Sequence, residues 1–458
     1  MNLKVNAKLD SQFSPLSLVC REMRENTKDN GQDIVIAVVR NKGYTQTYKT
    51  RIFKDGTGHD EQNFRFVERI AKSLLWVAGG YKIIIAGSSV VGEKIKAAYT
   101  KEGLRAFDVG FMERVYETKF EVEVVSLEDA PKNVSAAAPV GRHLDGCRIG
   151  FDAGGSDRKV SAVIDGETVY SEEVVWFPKT NPDPNYHYEG IKSAMQTAAS
   201  YMPRVDAIGV SSAGVYVDNR IMVASLFLKV NEDDFEKSVK NMYIDVAKEI
   251  GKDIPLEVAN DGDVTALAGA MDLGDNSVLG IAMGTSEAGG YVDPDGNITG
   301  WLNELAFVPV DFCEDAMVDE WSGDYGCGVK YFSQDGVIKL APFAGIELDE
   351  NLSPAEKLKV VQKLMEQGDE RAADIYDTIG AYFGYAIAYY TEFYDIKHVL
   401  IMGRVTSGKG GEILLSRAQE VLNTEFPELA KQIKLHIPDE KSRRVGQSVA
   451  AASLPKID

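Results

Sequence analysis

Disulfide chemistry is almost absent from this chain. Its 458 residues include four cysteines, Cys20, Cys147, Cys313 and Cys327, scattered too widely to read as a framework of bridges. That spacing predicts reduced thiols and a cytoplasmic protein. Basic charge is also scarce: 50 Lys and Arg against 70 Asp and Glu leave a net charge of −20. Phosphate backbones are met by clustered Lys and Arg, so the balance argues against a nucleic-acid partner and fits a small-molecule ligand. No apolar run reaches bilayer-spanning length, and residues 1–30 are polar and charged, unlike a signal peptide. No membrane role is expected. Core-forming residues are plentiful: 44% of the chain is hydrophobic, enough for two or three domains.

Residues 1–145 read as an N-terminal α/β domain. Asp33–Phe53 has the pattern of a β-hairpin turning at Asn41-Lys42-Gly43. Phe64–Val77 carries apolar residues at helical spacing, and Tyr81–Ala86 is a short buried strand. The Ala-, Pro- and Gly-rich stretch Val125–Gly146 reads as a linker. From Cys147 the order of elements begins again. Strands with a glycine turn lead to the amphipathic helix Glu189–Tyr201, then to the strand Ala207–Val210 and Ser211-Ser212-Ala213-Gly214. The first domain is therefore read either as a degenerate repeat, with Arg40 or Asn41 where the second has Asp152, or as an unrelated α/β segment. The last third is helical. Ser353-Pro354-Ala355-Glu356 is a capping box, and Ile379 to Tyr390 follows helical periodicity into the strand His398–Met402.

Five stretches carry chemistry. In Ile149–Val163 a strand ends in Asp152-Ala153-Gly154-Gly155-Ser156. Amides freed at Gly154 and Gly155 can wrap an anionic oxygen, with Ser156 and Lys159 adding a hydroxyl and a cation. Asp152 is placed to hold a metal through water. An ordinary glycine-rich turn is the alternative. In Val258–Ala270 a strand delivers Asn260 and Asp261 to the start of a helix. Asp261 there can take the proton of an alcohol attacking phosphorus, and Asn260 can bind sugar hydroxyls; a plain capping turn is the alternative. Leu279–Val292 is a strand–loop–strand unit whose Gly284, Thr285, Gly289 and Gly290 suit a second phosphate cradle, or a simple hairpin. Val399–Leu415 offers a glycine turn and a helix start, with Gly403, Gly410 and Gly411 leaving room for adenosine. In Gly300–Val310, Glu304 stands in an apolar segment, where it either meets sugar hydroxyls or is a satisfied structural carboxylate.

Taken in order, these stretches resemble the sugar kinases of the actin/hexokinase superfold, and specifically the ROK family (repressors, open reading frames and sugar kinases), over Cys147–Asp458. The resemblance implies an α/β, two-lobed, ribonuclease H-like fold carrying the extra N-terminal α/β domain. It implies a first kinase lobe at 146–268 and a second, with the adenosine site, at 269–458. Asp152-Ala153-Gly154-Gly155-Ser156 falls on the family's first phosphate motif, Asn260-Asp261-Gly262-Asp263 on its catalytic motif, and Gly284 to Gly290 on its second phosphate loop. Asp261 thereby takes the place of the general base, and Asn260 and Glu304 the places of sugar ligands. ATP and Mg²⁺ are implied cofactors, the metal held by Asp152 through water.

The departures are specific. Phe307 replaces the family histidine, and of the zinc cysteines only Cys327 is kept within Glu320–Cys327, so no zinc is expected. Gly328-Val329-Lys330 stands where a second sugar glutamate follows, and Glu287 puts a carboxylate into a phosphate loop. The reading that follows is an ATP-dependent kinase for a sugar or related polyol, its lobes closing on the ligand. The alternative is a catalytically impaired sugar- or nucleotide-sensing or scaffolding protein of the same fold. A DNA-binding repressor fits less well with the acidic, strand-rich first domain. The sequence leaves the oligomeric state open, with a homodimer among the options.

Overall fold

A computed structural model describes residues 2–135, 140–438 and 446–457. Residues 136–139, within the linker expected at Val125–Gly146, lie outside the described residues. By their contacts the residues form two compact units. The first joins Met1–Ser135 to Ile281–Gly289 and Trp301–Ile437. The second comprises Ala136–Gly280, Gly290–Gly300 and Pro438–Asp458.

In the first unit, strands β1 (Gly31–Val39) and β2 (Thr45–Phe53) form the expected hairpin, turning through Asn41–Gly43. Lys42 is left-handed in that turn, at φ 59°. With β3 (Lys82–Ala86) and β4 (Glu121–Val125) they build a sheet in the order β2-β1-β3-β4. β3 runs antiparallel to β1. The helix Asp60–Ala78 is buried along almost its whole length, including three charged side chains, Glu68, Arg69 and Lys72.

The second unit is organised around a five-stranded sheet. β5 (Cys147–Ala153), β6 (Asp157–Ile164) and β7 (Glu167–Val175) form an antiparallel meander, and β8 (Ala207–Ser212) lies parallel to β5. A small hairpin of β9 (Val215–Val217) and β10 (Arg220–Val223) precedes β11 (Leu256–Asn260), which pairs parallel to β8. The order is β11-β8-β5-β6-β7. A copy of this arrangement in the N-terminal sheet would run β3 parallel to β1, so the two sheets differ in strand direction.

Strand alternation divides β5 between two environments. Cys147, Ile149, Phe151 and Ala153 enter a core shared with Ile191, Met195, Tyr243 and Val246 of the helices Pro184–Ala199 and Met242–Ile250. Arg148, Gly150 and Asp152 take the other face. There the helix Gln447–Ala452 approaches so closely that a Cβ on Gly150 would lie 1.7 Å from the Ser448 carbonyl oxygen. A Cβ on Gly209 would lie 1.7 Å from that of Ala451. Glycine is required at both positions by this contact.

The chain enters the first unit within β12 (Val278–Met283) and returns within β13 (Glu287–Val292). These strands join β14 (His398–Met402) and β15 (Lys434–His436) in the order β13-β12-β14-β15. The first unit's core draws on both ends of the sequence. Phe13 packs on Tyr382 with ring centroids 4.6 Å apart and lies 6.0–6.1 Å from Tyr385 and Tyr331. Tyr382 and Tyr385 lie on the long apolar helix Glu370–Tyr390. Ser353 caps the helix Pro354–Glu366 in the capping box read from the sequence.

Candidate active site

Asp152 and Asp261, separated by more than a hundred positions in sequence, meet in the second unit. Asp152 ends β5 beside Ser211 of β8, whose hydroxyl donates to its Oδ1 at 2.8 Å. Asp261 opens the helix Asp261–Leu273 at the end of β11. Gln447 links the two sides: its Nε2 donates to Ser211 Oγ and to the Asp261 carbonyl oxygen, both at 3.1 Å. Burial pushes the Asp152 carboxyl up to about 6, against the Ser211 hydrogen bond and the charge of Lys159, and the Asp261 charge adds to the rise. Burial also raises Asp261; the amides of Gly262 and of Asp261 itself, and the Lys179 ammonium, act in the opposite direction.

Asn260 takes the capping role. Its Oδ1 accepts from the Gly262 amide at 2.7 Å, capping the helix, and its Nδ2 donates to the Gly214 carbonyl at 2.7 Å. Asp263, one turn into the same helix, is buried and accepts from the Tyr291 amide at 3.0 Å.

The glycine turn after β5 is braced from outside. Trp176 donates its indole N–H to the Gly154 carbonyl at 2.8 Å, and its amide to the Ser156 carbonyl at 3.1 Å. Lys179 lies across the turn: a Cβ on Gly155 would sit 2.7 Å from its Cε and 2.9 Å from its Nζ. Lys159, the basic residue expected to serve phosphate, instead faces acids, at 3.5 Å from Asp157 and 3.9 Å from Glu173. The Ser156 hydroxyl donates to Asp157 at 3.0 Å.

The remaining expected residues belong to the first unit. Gly403 has φ 98°, and a Cβ there would come within 2.3 Å of the Met283 carbonyl oxygen, so the turn after β14 sits directly on the end of β12. That contact brings Gly284 and Thr285 to Arg404, whose Nη2 donates to Thr285 Oγ1 at 2.9 Å. Gly410 and Gly411 form the first turn of the helix Lys409–Glu425. Gly410 packs on the Tyr376 ring, 2.6 Å from where its Cβ would be. Beside it is a cavity of about 160 Å³ lined by Gln362, Met365, Tyr376, Gly408 and Lys409. The Tyr376 hydroxyl is buried and has no partner among the described residues. Glu304 is half-buried and starts the turn Leu305–Phe307, its amide donating to the Trp76 carbonyl at 3.1 Å. Phe307 packs on Trp76 with centroids 4.3 Å apart and on Phe107 at 5.5 Å.

The expectation for Glu287 is revised. Glu287 does not confront phosphate: its side chain is buried, accepting from the Tyr390 hydroxyl at 3.3 Å, with Gly328 leaving room for Oε2. Burial pushes this carboxyl up to about 8, which leaves it mostly neutral at pH 7. Within Glu320–Cys327 the chain places Asp324 in a buried ion network with Arg69 (3.0 Å), Lys72 (2.6 Å) and Arg105 (2.9 Å). Cys327 lies beside it, its Sγ 3.9 Å from Lys72 Nζ. Lys330 is paired with Glu320 and, at 2.9 Å, with Asp335. Among the described residues no helix is long and apolar enough to cross a membrane.

Sequence reasoning missed Lys179, Ser211, Gln447 and Arg404. Of these only Ser211 carried a signal, its place after a buried strand in Ser211-Ser212-Ala213-Gly214.

No curated protein matches the sequence significantly. Many solved structures are similar in fold, among them the following. A ROK hexokinase from Thermus thermophilus is 18% identical with a TM-score of 0.50, over 67% of this chain and 97% of that one. A ROK family transcriptional regulator, a homologue of the E. coli MLC protein, is 18% identical with a TM-score of 0.53, over 68% and 79%. The mixed α/β architecture is thus that of the actin-like ATPase fold of the ROK hexokinases. The ROK family model itself matches residues 148–446, most of the chain, and the protein belongs to the ROK family.

Proposed function

We propose that the protein transfers the terminal phosphoryl group of ATP to a hydroxyl of a sugar or sugar-like alcohol, with Asp261 as general base. The observation that carries this reading is the hydrogen-bonded run from Asp152 through Ser211 and Gln447 to Asp261, beside the braced turn at Gly154 and Gly155. Phosphoryl transfer needs a positioned base and donors aimed at phosphate oxygens more than it needs covalent chemistry. Asp261 supplies the first. The amides of the Gly154–Ser156 turn supply the second.

The first unit's residues suit the nucleotide, and for its metal Asp152 is a single carboxylate candidate, since no group of three or more His, Cys, Asp or Glu side chains gathers among the described residues. The cavity beside Gly410 has one aromatic wall and an unpartnered buried hydroxyl, which suits a flat base with polar edges. Asp152 offers a carboxylate next to hydroxyl oxygens, the hard donors magnesium takes. Asp152 would hold magnesium, which would supply charge neutralisation on the phosphates. Asn260 and Glu304 are assigned to acceptor hydroxyls.

The experiment is ATP consumption with Mg²⁺ against hexoses, N-acetylated amino sugars and polyols, with Asp261→Asn alongside wild type. Turnover with at least one acceptor, falling by about a hundredfold or more in the variant, is expected. An Asp261→Asn protein working at full rate overturns the mechanism. A second reading, a sugar-responsive protein without turnover, is favoured by Phe307, which fills the family histidine's position with an aromatic cluster. Sugar and ATP binding with no turnover across the panel would select it.

A further inference from the structure

We propose that Lys179 is a catalytic residue, gripping the phosphoryl group in flight between nucleotide and acceptor. The inference rests on the kinase reading above and adds a residue that no motif marks. Its side chain lies on the Gly154–Gly155 turn, within 3 Å of where a Gly155 Cβ would be, so the absence of a side chain at Gly155 is what admits it. Its backbone is fixed on the preceding side. Pro178–Thr180 is a single 3₁₀ turn, and buried His187 holds the Pro178 carbonyl through Nε2 at 3.0 Å. Trp176, two residues before Pro178, is bonded twice to the glycine turn itself. The turn and the lysine are therefore one assembly, with little freedom to lose when an anion arrives.

The charge of Lys179 is also uncommitted. Lys159 is matched by Asp157 and Glu173, whereas Lys179 has no hydrogen bond or ion pair among the described residues. Its charge acts on Asp261, favouring the ionised carboxylate. An exposed lysine is ordinarily a solvated charge. One pinned to a phosphate-type glycine turn, within electrostatic reach of the base, is placed where negative charge accumulates during transfer.

The chemistry balances as follows. The acceptor oxygen forms a bond to the γ-phosphorus as the bond from that phosphorus to the bridging oxygen of the departing ADP breaks. The hydroxyl proton passes to Asp261. Charge stays on the three remaining oxygens of the moving group, and the Lys179 ammonium meets it there. The same ammonium favours the ionised Asp261 that must receive the proton.

Full-length wild type, Lys179→Met and Lys179→Arg are compared for tripolyphosphate binding by calorimetry and for ATP turnover with an acceptor from the panel. The methionine keeps the stem and removes the charge at an exposed position, so unchanged melting temperatures are the folding control. Lys179→Met is expected to bind tripolyphosphate about tenfold more weakly. It should lose about a hundredfold in kcat with acceptor KM unchanged, and the arginine should restore part of both. Equal tripolyphosphate affinity in wild type and Lys179→Met overturns the assignment, even if wild type turns over ATP. Unchanged kcat in Lys179→Met also overturns it and leaves the kinase reading standing. If wild type transfers nothing and Lys179→Met still loses polyphosphate affinity, the kinase reading fails and Lys179 stands as an anion clamp.

Discussion

Glu287 shows how far a single side chain can depart from what its motif suggests. In sequence it is a negative charge inside a phosphate loop. In space its carboxyl turns into the first unit's core against Tyr390 and is pushed up to about 8. Its folded pKa lies above the unfolded value, so the stability it contributes is complete below about pH 4.5. That stability is lost as pH rises toward about 8. Urea unfolding of wild type should therefore show a decline across this window, on the order of 3 kcal/mol by pH 7. Glu287→Gln, neutral throughout, should flatten the profile; an unchanged slope would place the pH dependence elsewhere. Lys159 and Lys179 make the complementary case. The motif pointed to the first, yet its neighbours on β6 and β7 claim its charge, and the lysine at the glycine turn comes from a loop without a motif.

At the scale of elements, the periodic signals were dependable and the ends less so. The strand His398–Met402 and the capping box at Ser353 are where the sequence puts them. The helix expected from Glu189 starts five residues earlier, at Pro184. Asp183 caps it and proline occupies its first position, both readable start signals. The turn Asn260-Asp261-Gly262 was open to two readings, a helix cap or a catalytic pair. Its geometry serves the first through Asn260, and the Asp261 Oδ1 also accepts from the Gly262 amide at 3.0 Å. What no pattern announced is the helix Gln447–Ala452 pressed on β5 and β8. Gly150→Ala or Gly209→Ala would drive a methyl to within 1.7 Å of a backbone oxygen. Each should cost about 3 kcal/mol or more in chemical unfolding. Because Gln447 begins that helix, each should also weaken the link between Asp152 and Asp261. A variant as stable as wild type would show the contact to be looser than described here.

For the whole molecule, the instructive feature is how distant segments share one core. Arg69, Lys72 and Arg105 from the N-terminal 135 residues surround Asp324, and Phe13 packs among tyrosines of the C-terminal third. The network balances Glu68, Asp108 and Asp324 against these three cations, nearly all out of water. Removing one member leaves uncompensated charge in the interior. Asp324→Ala should thus destabilise the protein by about 3–5 kcal/mol in urea unfolding. A loss below about 1 kcal/mol would mean that water reaches the network. The sequence by itself determined many of the strands and helices, the glycine turns, the order of motifs and so the family, because these depend on local chemistry and on residues close in the chain. The tertiary structure alone decided which charges are matched, which carboxyls stay neutral and which lysine stands at the turn. Those outcomes depend on burial and on neighbours that the fold brings together from elsewhere in the chain, which no local pattern encodes.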